Sequence, residues 1–322
     1  MTVPRFEQIN EDEVGVYLLT NRCVRRAYLL GNDYKSGDLL DYRRDWVVKW
    51  LESLASVMMI DILAFAVMDN HAHEVVRNRP DLVQQLSDEE AAERLARLYP
   101  GFRCSEKLPE IADPKIKQRF LDSPNLGKLK RRLSSISVFM AKWQEAISHR
   151  ANRYEGCTGR FWEGRFHCTK LLDSLAVFAA SVYVDLNPIR AGMVRKPEDA
   201  KHTSFAERVS FLQKSAAHPW LAPISNCDGR GFLDISDQEY LDLAEQMARK
   251  KRRGKRSRVS DDIPPFVTRL GLAPTRWCDA VFEYVSKFKL RAGSPALLIE
   301  DASRRGKQWT HGISAARMFY ES

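Results

Sequence analysis

The hydrophobic pattern changes period several times along the first two hundred residues. VGVYLLTNRCV (14–24) is rich in β-branched and aromatic residues and predicts a strand. DLLDYRRDWVVKWLESLASVMM (38–59) instead sets Leu39, Leu40, Trp46, Val47, Trp50, Leu51 and Leu54 at three-and-four spacing, which predicts an amphipathic helix. IDILAFAVM (60–68) is a short continuous apolar run, as expected of a buried strand, and Asp69-Asn70 supplies turn chemistry. HAHEVVRN (71–78) then returns antiparallel to it. A charged stretch with a proline-punctuated loop, from residue 79 to about 127, reads as an insertion that adds little obvious core. Residues 127–154 predict a long helix striped by Leu133, Ile136, Phe139, Met140, Trp143 and Ile147. GRFWEGRFHCTKLL (159–172) reads as a loop entering a strand. DSLAVFAASVYVDLNPIRAGMV (173–194) opens on an Asp-Ser cap and stays helical until Asn187-Pro188.

Strand, helix, strand, strand, helix, strand, helix is the order of an α+β fold: a ferredoxin-like antiparallel sheet with helices on one face. This gives a domain over residues 1–205 with the insertion at 79–127. Residues 206–322 form a mostly helical C-terminal extension with a basic linker at 249–258. In that extension Trp277, Phe282, Tyr284 and Phe288 lie at helical spacing, the mark of a small helical bundle.

Composition narrows the class. The 322 residues suffice for a substantial core, and no apolar run approaches the roughly 20 residues needed to span a bilayer. The polar, acidic N-terminus does not read as a signal peptide, so a cytoplasmic, nucleoid-associated protein without a membrane partner is expected. Six widely spaced cysteines suggest reduced thiols rather than a disulfide framework or a close zinc pair. A formal charge of +9 favours a polyanionic partner. Eight of the ten residues in RKKRRGKRSR (249–258) are basic, so Arg249, Lys250, Lys251, Arg252 and Arg253 are either a solvated linker or a nucleic-acid contact.

Two constellations carry chemistry. His71 and His73 project from the same face of their strand and can chelate a divalent ion, bind a phosphate together, or serve as ordinary hydrogen-bonded side chains. Glu74 points to the opposite face. Tyr183 and Asn187, four apart on a helix, share one side of it. The phenol is a possible nucleophile at phosphorus and the amide oxygen a possible ligand for a hard ion. Equally, Tyr183 can be a half-buried core aromatic and Asn187 a helix stop before proline.

In sequence order, NHAHEVV, GRFWEGRFH and YVDLNPIRAGMV resemble the single-tyrosine HUH transposases, in particular the REP-associated tyrosine transposases of bacteria. The resemblance covers residues 14–205 apart from the insertion. It implies an HUH endonuclease core in which His71 and His73, with Asn187, hold Mg2+ or Mn2+. Tyr183 would then attack single-stranded or hairpin-forming DNA to leave a 5′-phosphotyrosine and a free 3′-hydroxyl. Insertion-sequence relatives carry Gln where this chain has Asn187, and related transposases can build their sites between two subunits, so monomer and homodimer both stay open. No nucleotide cofactor is implied.

Beyond the ion, Arg160, Trp162 and Arg165 can clamp a backbone and stack an unpaired base, or pack with Phe161 and Phe166 into the core. Lys128, Lys130, Arg131 and Arg132 can track phosphates, or form a solvated helix end. Tyr154 is the rival nucleophile, and the remaining five histidines show no ligand spacing. Two function classes follow: a metal-dependent endonuclease and strand transferase, or a domesticated relative that binds structured nucleic acid without cutting it.

Overall fold

The computed structural model of the chain describes residues 3–33, 37–104, 106–214, 218–226, 229–252 and 277–320. Its centre is a five-stranded sheet: β1 (Gly15–Arg22), β2 (Ile60–Val67), β3 (His71–Asn78), β4 (His167–Leu171) and β5 (Arg291–Ala292), in the spatial order β2-β3-β1-β4-β5. The first four pair antiparallel, while β5 joins β4 in parallel, making the sheet mixed. Sequence periodicity missed β5 because two residues carry none. Main-chain bonds at its ends fix it, from Lys170 N to Leu290 O (2.9 Å) and from Leu172 N to Ala292 O (2.8 Å).

Helices cover both faces, which corrects the expectation of a single helical layer. Helices α1 (Tyr42–Val57), α2 (Asp88–Leu98) and α3 (Ile136–Glu155) pack over Tyr17, Leu19, Phe65 and Val76. On the other face lie α4 (Ser174–Asp185), α5 (Ser204–Gln213), α6 (Asp237–Arg252), α7 (Trp277–Lys287), α8 (Pro295–Arg304) and α9 (Ile313–Tyr320), over Leu18, Ala64, Ala66 and Val75. Strands with apolar residues at successive positions, as in Ile62–Val67, need cover on both sides. The second core is continuous across residue 205: Phe205, Tyr240, Val281 and Leu298 join α4 in it.

Two helix boundaries shift. Helix α1 begins at Tyr42, because residues 38–39 pair with 32–33 as a small hairpin that leaves Leu39 exposed. The predicted 127–154 helix is broken into Leu126–Lys130, a 3-10 turn at Arg131–Ser134, and α3, which starts on the Ser135 cap. The insertion supplies more core than its polarity suggested. Helix α2, opened by a Ser87–Glu90 capping box, buries Ala91, Leu95 and Leu98. Among the described residues no helix is long and apolar enough to cross a membrane. Cys23, Cys104, Cys157 and Cys168 are free thiols, Cys23 and Cys168 buried; Cys227 lies outside the described residues, as does the side chain of Cys278.

Helix α4 is apolar on nearly every side, as a helix between two layers must be. Residues from beyond position 203 hold both of its ends. At the start, the predicted Asp173 cap accepts from Ala176 N (2.8 Å), Ser294 N (2.8 Å) and the Tyr320 hydroxyl (2.8 Å). Because Tyr320 donates there, its oxygen is left to accept from the Tyr284 hydroxyl at 2.8 Å. At the end, Asp185 accepts from the Ser204 hydroxyl, Phe205 N (2.9 Å) and the Tyr240 hydroxyl (2.7 Å). Burial raises its pKa to about 6, against the opposing pull of those donors and of the nearby Arg208 charge. Replacing Asp185 by Ala leaves buried donors unpaired and is expected to cost about 3 kcal/mol of stability, read from urea denaturation. A loss within experimental error would mean that the helix end is held by packing alone.

Glu74 lies behind the histidine pair, on the α1–α3 side of the sheet. It is 1% exposed and neither oxygen has a hydrogen-bond partner among the described residues. Burial lifts its pKa from 4.5 to about 8. Between those values the unfolded chain ionises while the folded one keeps its proton, so this contribution to stability is complete below pH 4.5 and lost as pH rises through about 8. Glu74→Gln removes the titration and is expected to stabilise the protein by about 3 kcal/mol more at pH 8.5 than at pH 5. Parallel stability–pH curves for variant and wild type would refute the burial account.

Candidate active site

Strand register assembles the site. Pairing of β1 with β3 sets Thr20 opposite His73 and Arg22 opposite His71. Side-chain alternation then puts all four on the face that α4 covers. The two imidazole centroids are 4.8 Å apart with rings at 89°. Helix α4 crosses this face and brings the Tyr183 ring to 5.6 Å from that of His73, at 86°. Arg190, in the turn Asn187–Arg190 that follows α4, holds its guanidinium carbon 4.4 Å from the Tyr183 ring centroid.

Hydrogen bonds orient both imidazoles. Asn70 Nδ2 donates to Arg26 O at 3.2 Å, which turns Asn70 Oδ1 toward His71 Nδ1 at 2.6 Å. That nitrogen must therefore carry the proton, and His71 Nε2 keeps its lone pair. Thr20 Oγ1 lies 2.9 Å from His73 Nδ1 and can accept from it; in that tautomer His73 Nε2 also keeps its lone pair. The Arg26 carbonyl is offered by a constrained turn, in which Arg25 and Arg26 have φ of 54° and 56°. Two successive non-glycine residues in the left-handed region persist only where their surroundings hold them.

Both histidines stay neutral. Burial, then the Arg22 charge, lowers the pKa of His71 to about 4. His73 is held well below the usual range by burial first, then by His71, Arg22 and Arg190. Neutral imidazoles with free Nε2 atoms suit a divalent ion. Asn187 is 8% exposed, and its Nδ2 has no partner among the described residues. Two imidazoles can ligate a divalent ion, and an amide oxygen is a donor that a hard ion accepts; Asn187 opens the turn after α4 that also carries Arg190. Among the described residues no group of three or more His, Cys, Asp or Glu side chains could hold a metal, so remaining coordination would fall to water or substrate oxygens.

The other expected residues separate into three groups. Arg160 and Arg165 are exposed on a loop bound to the end of β1, where Val24 N donates to Phe161 O (2.9 Å) and Glu163 N to Arg22 O (2.8 Å). They lie at the histidine end of the sheet. Trp162 shares the loop but is only 7% exposed, stacks on Trp143 at 5.1 Å and donates from Nε1 to Gln144 O. It is a core residue with no face for an unpaired base. Lys128, Lys130, Arg131 and Arg132 sit at the opposite end, where Met59 N donates to Leu133 O and Arg79 N to Met59 O. Lys130 pairs with Asp88, Arg131 with Asp12, and Arg132 lies over Tyr99. They do not converge on the histidines. Arg253 and the side chains of Arg249, Lys250, Lys251 and Arg252 lie outside the described residues.

Sequence reading missed Thr20, Arg22, Asn70 and Arg190. It also set aside His167, which pairs opposite Thr20 and thus shares the face of His73. Strand pairing brings in Thr20, Arg22 and His167, since 53 residues separate Thr20 from His73 in the chain but one strand spacing separates β1 from β3; Asn70 adjoins His71 in sequence, and Arg190 arrives on the turn after α4.

No family model matches the chain, and no curated protein matches it. Among solved structures, a REP-associated tyrosine transposase bound to a REP hairpin is similar at 15% identity and a TM-score of 0.36, the match covering 73% of this chain and 100% of that one.

The buried site makes one spectroscopic expectation. His71 should remain neutral through pH 5 and protonate near pH 4, as followed by imidazole nitrogen chemical shifts. A midpoint near the ordinary value of 6.5 would mean that water reaches the ring freely.

Proposed function

We propose that the chain is a metal-dependent, tyrosine-nucleophile DNA endonuclease and strand transferase acting on single-stranded or hairpin-forming DNA. The observation that carries this reading is the convergence of three side chains from two distant elements: the His71 and His73 imidazoles of β3, and the Tyr183 phenol of α4. A core aromatic has no need of a neutral, lone-pair-bearing histidine pair beside it. The three ordered sequence motifs support the same reading.

His71, His73 and the Asn187 amide would hold Mg2+ or Mn2+, which supplies Lewis-acid polarisation of the scissile phosphate when bound. Thr20 and Asn70 fix the ring orientations. Arg22, paired opposite His71, and Arg190, over the Tyr183 ring, place positive charge at the site, where it would attract a phosphodiester and offset the charge that develops on its oxygens. Tyr183 attacks phosphorus in line: its oxygen forms the new P–O bond, the bond to the 3′ oxygen breaks, the phenolic proton leaves to solvent and the 3′ oxygen takes one up. The product is a 5′-phosphotyrosine and a free 3′-hydroxyl, and attack by that hydroxyl or another reverses the step or transfers the strand.

Labelled single-stranded DNA with Mn2+, resolved on a denaturing gel, tests this directly. Wild type should form a covalent protein–DNA adduct, and Tyr183→Phe should form none. His71→Ala and His73→Ala should each reduce it by at least about a hundredfold. An adduct that persists in Tyr183→Phe removes the nucleophile; DNA binding without any adduct in the wild type favours the non-cleaving binder. Metal affinity is a separate readout: Thr20→Val should weaken Mn2+ binding about tenfold, measured by the free-ion electron paramagnetic resonance signal, because His73 loses its orienting partner. Unchanged affinity would show that Thr20 leaves the ligand geometry alone.

A further inference from the structure

The insertion, which the chemistry above does not use, forms one wall of a second site. A cavity of about 440 Å³ lies between it and the outer surfaces of α1 and α3. This volume falls in the range of small-molecule sites. Trp46, Trp50, Phe102 and Tyr154 give it an aromatic lining. Phe102 and Tyr154 are 65% and 68% exposed, unusual for such large apolar surfaces. Positive charge surrounds these rings: Arg103, Lys142, Arg150 and Arg153 also line the cavity, with Glu145 as the one carboxylate among its lining residues. Arg103 and Arg153 are exposed and have no ion-pair partner among the described residues. The Arg150 guanidinium carbon already lies over the Trp46 ring, 4.1 Å from its centroid, so this ring accepts a cation on its face.

Flat aromatic walls with unneutralised guanidinium groups at their edge suit a planar, uncharged ring bearing an anion, which is the chemistry of a nucleotide. An apolar ligand would leave the cations unused, and a bare anion would leave the aromatics unused. The cavity is also linked to the candidate active site. Trp46 lies two residues from Arg44, which pairs with Asp69 at 3.4 Å, two residues before His71. Tyr154 is next to Glu155, which accepts from buried Arg43 at the start of α1.

We propose that this cavity receives an unpaired nucleotide of a DNA strand, its base against the aromatic wall and its phosphate on Arg103 and Arg153. The inference rests on the DNA-processing reading and adds a specificity site to it. Discrimination there would fall on an extrahelical base rather than on the scissile bond. The insertion is what provides the site, since Leu98, Pro100, Phe102, Arg103, Cys104 and Leu108 form its wall.

The test uses the full chain in EDTA, so that binding is read without cleavage. The probes are twelve-nucleotide thymidine strands carrying one 2-aminopurine at successive positions, with 5′-dAMP as competitor. Wild type should quench 2-aminopurine at one position. Phe102→Ala with Tyr154→Ala, and separately Arg103→Glu with Arg153→Glu, should abolish the quench and weaken strand binding about tenfold. All four side chains are exposed, and unchanged thermal melting checks that the variants fold. In Mn2+ with saturating strand, both double variants should still form the Tyr183 adduct. Equal affinity and quenching in variants and wild type overturn the pocket, whether or not the adduct forms. Competition by 5′-dAMP without strand binding overturns the DNA strand as its occupant. Loss of binding in the variants together with an absent wild-type adduct keeps the pocket and rejects the nuclease reading.

Discussion

Everything at the candidate site depends on where α4 lies. The helix offers the sheet an apolar surface on nearly all sides, so packing alone would tolerate sliding or rotation about its axis. Two carboxylates remove that freedom. Asp173 at its start and Asp185 at its end each collect several donors from residues that enter the fold only after position 203. Directional hydrogen bonds in a low-dielectric interior set the position that hydrophobic contact leaves loose. The C-terminal part of the chain, including the two-residue strand that extends the sheet, is therefore what aims the Tyr183 ring at His73.

The electrostatic design of the same face is coherent. Burial opposes protonation of both imidazoles, joined by Arg22 at each and by Arg190 at His73, so the rings are held toward their neutral form. Under the proposed function, the arginines that disfavour imidazolium would also favour an incoming phosphodiester. On the reverse of β3, Glu74 sits among apolar side chains and holds its proton, adding no negative charge behind the site.

Sequence made the local elements legible wherever a period was long and clean. The β2–β3 hairpin, the core of α1, the Asp173 cap and the alternation of His71 with His73 all follow from patterns of a few residues. Long-range information was not legible. Nothing in the order of residues pairs Thr20 with His73 or Arg22 with His71, since that depends on which strands become neighbours. Trp162 shows the limit from the other side: aromatic and cationic neighbours make it look like a base platform, yet its loop folds inward and stacks it on Trp143. KLKRR looked like a phosphate track because charge is visible in sequence, whereas the acidic partners at Asp88 and Asp12 and the length of β3 that separates it from the histidines are not.

The distance between His73 and Tyr183 has a consequence for assembly. Both rings belong to the same polypeptide, on elements joined through a common core, and they already meet at 5.6 Å. A single copy of the chain therefore sets the Tyr183 ring beside His73 without a helix from a neighbour. Under the proposed function, association between copies would then serve the geometry of a bound strand rather than the placement of Tyr183.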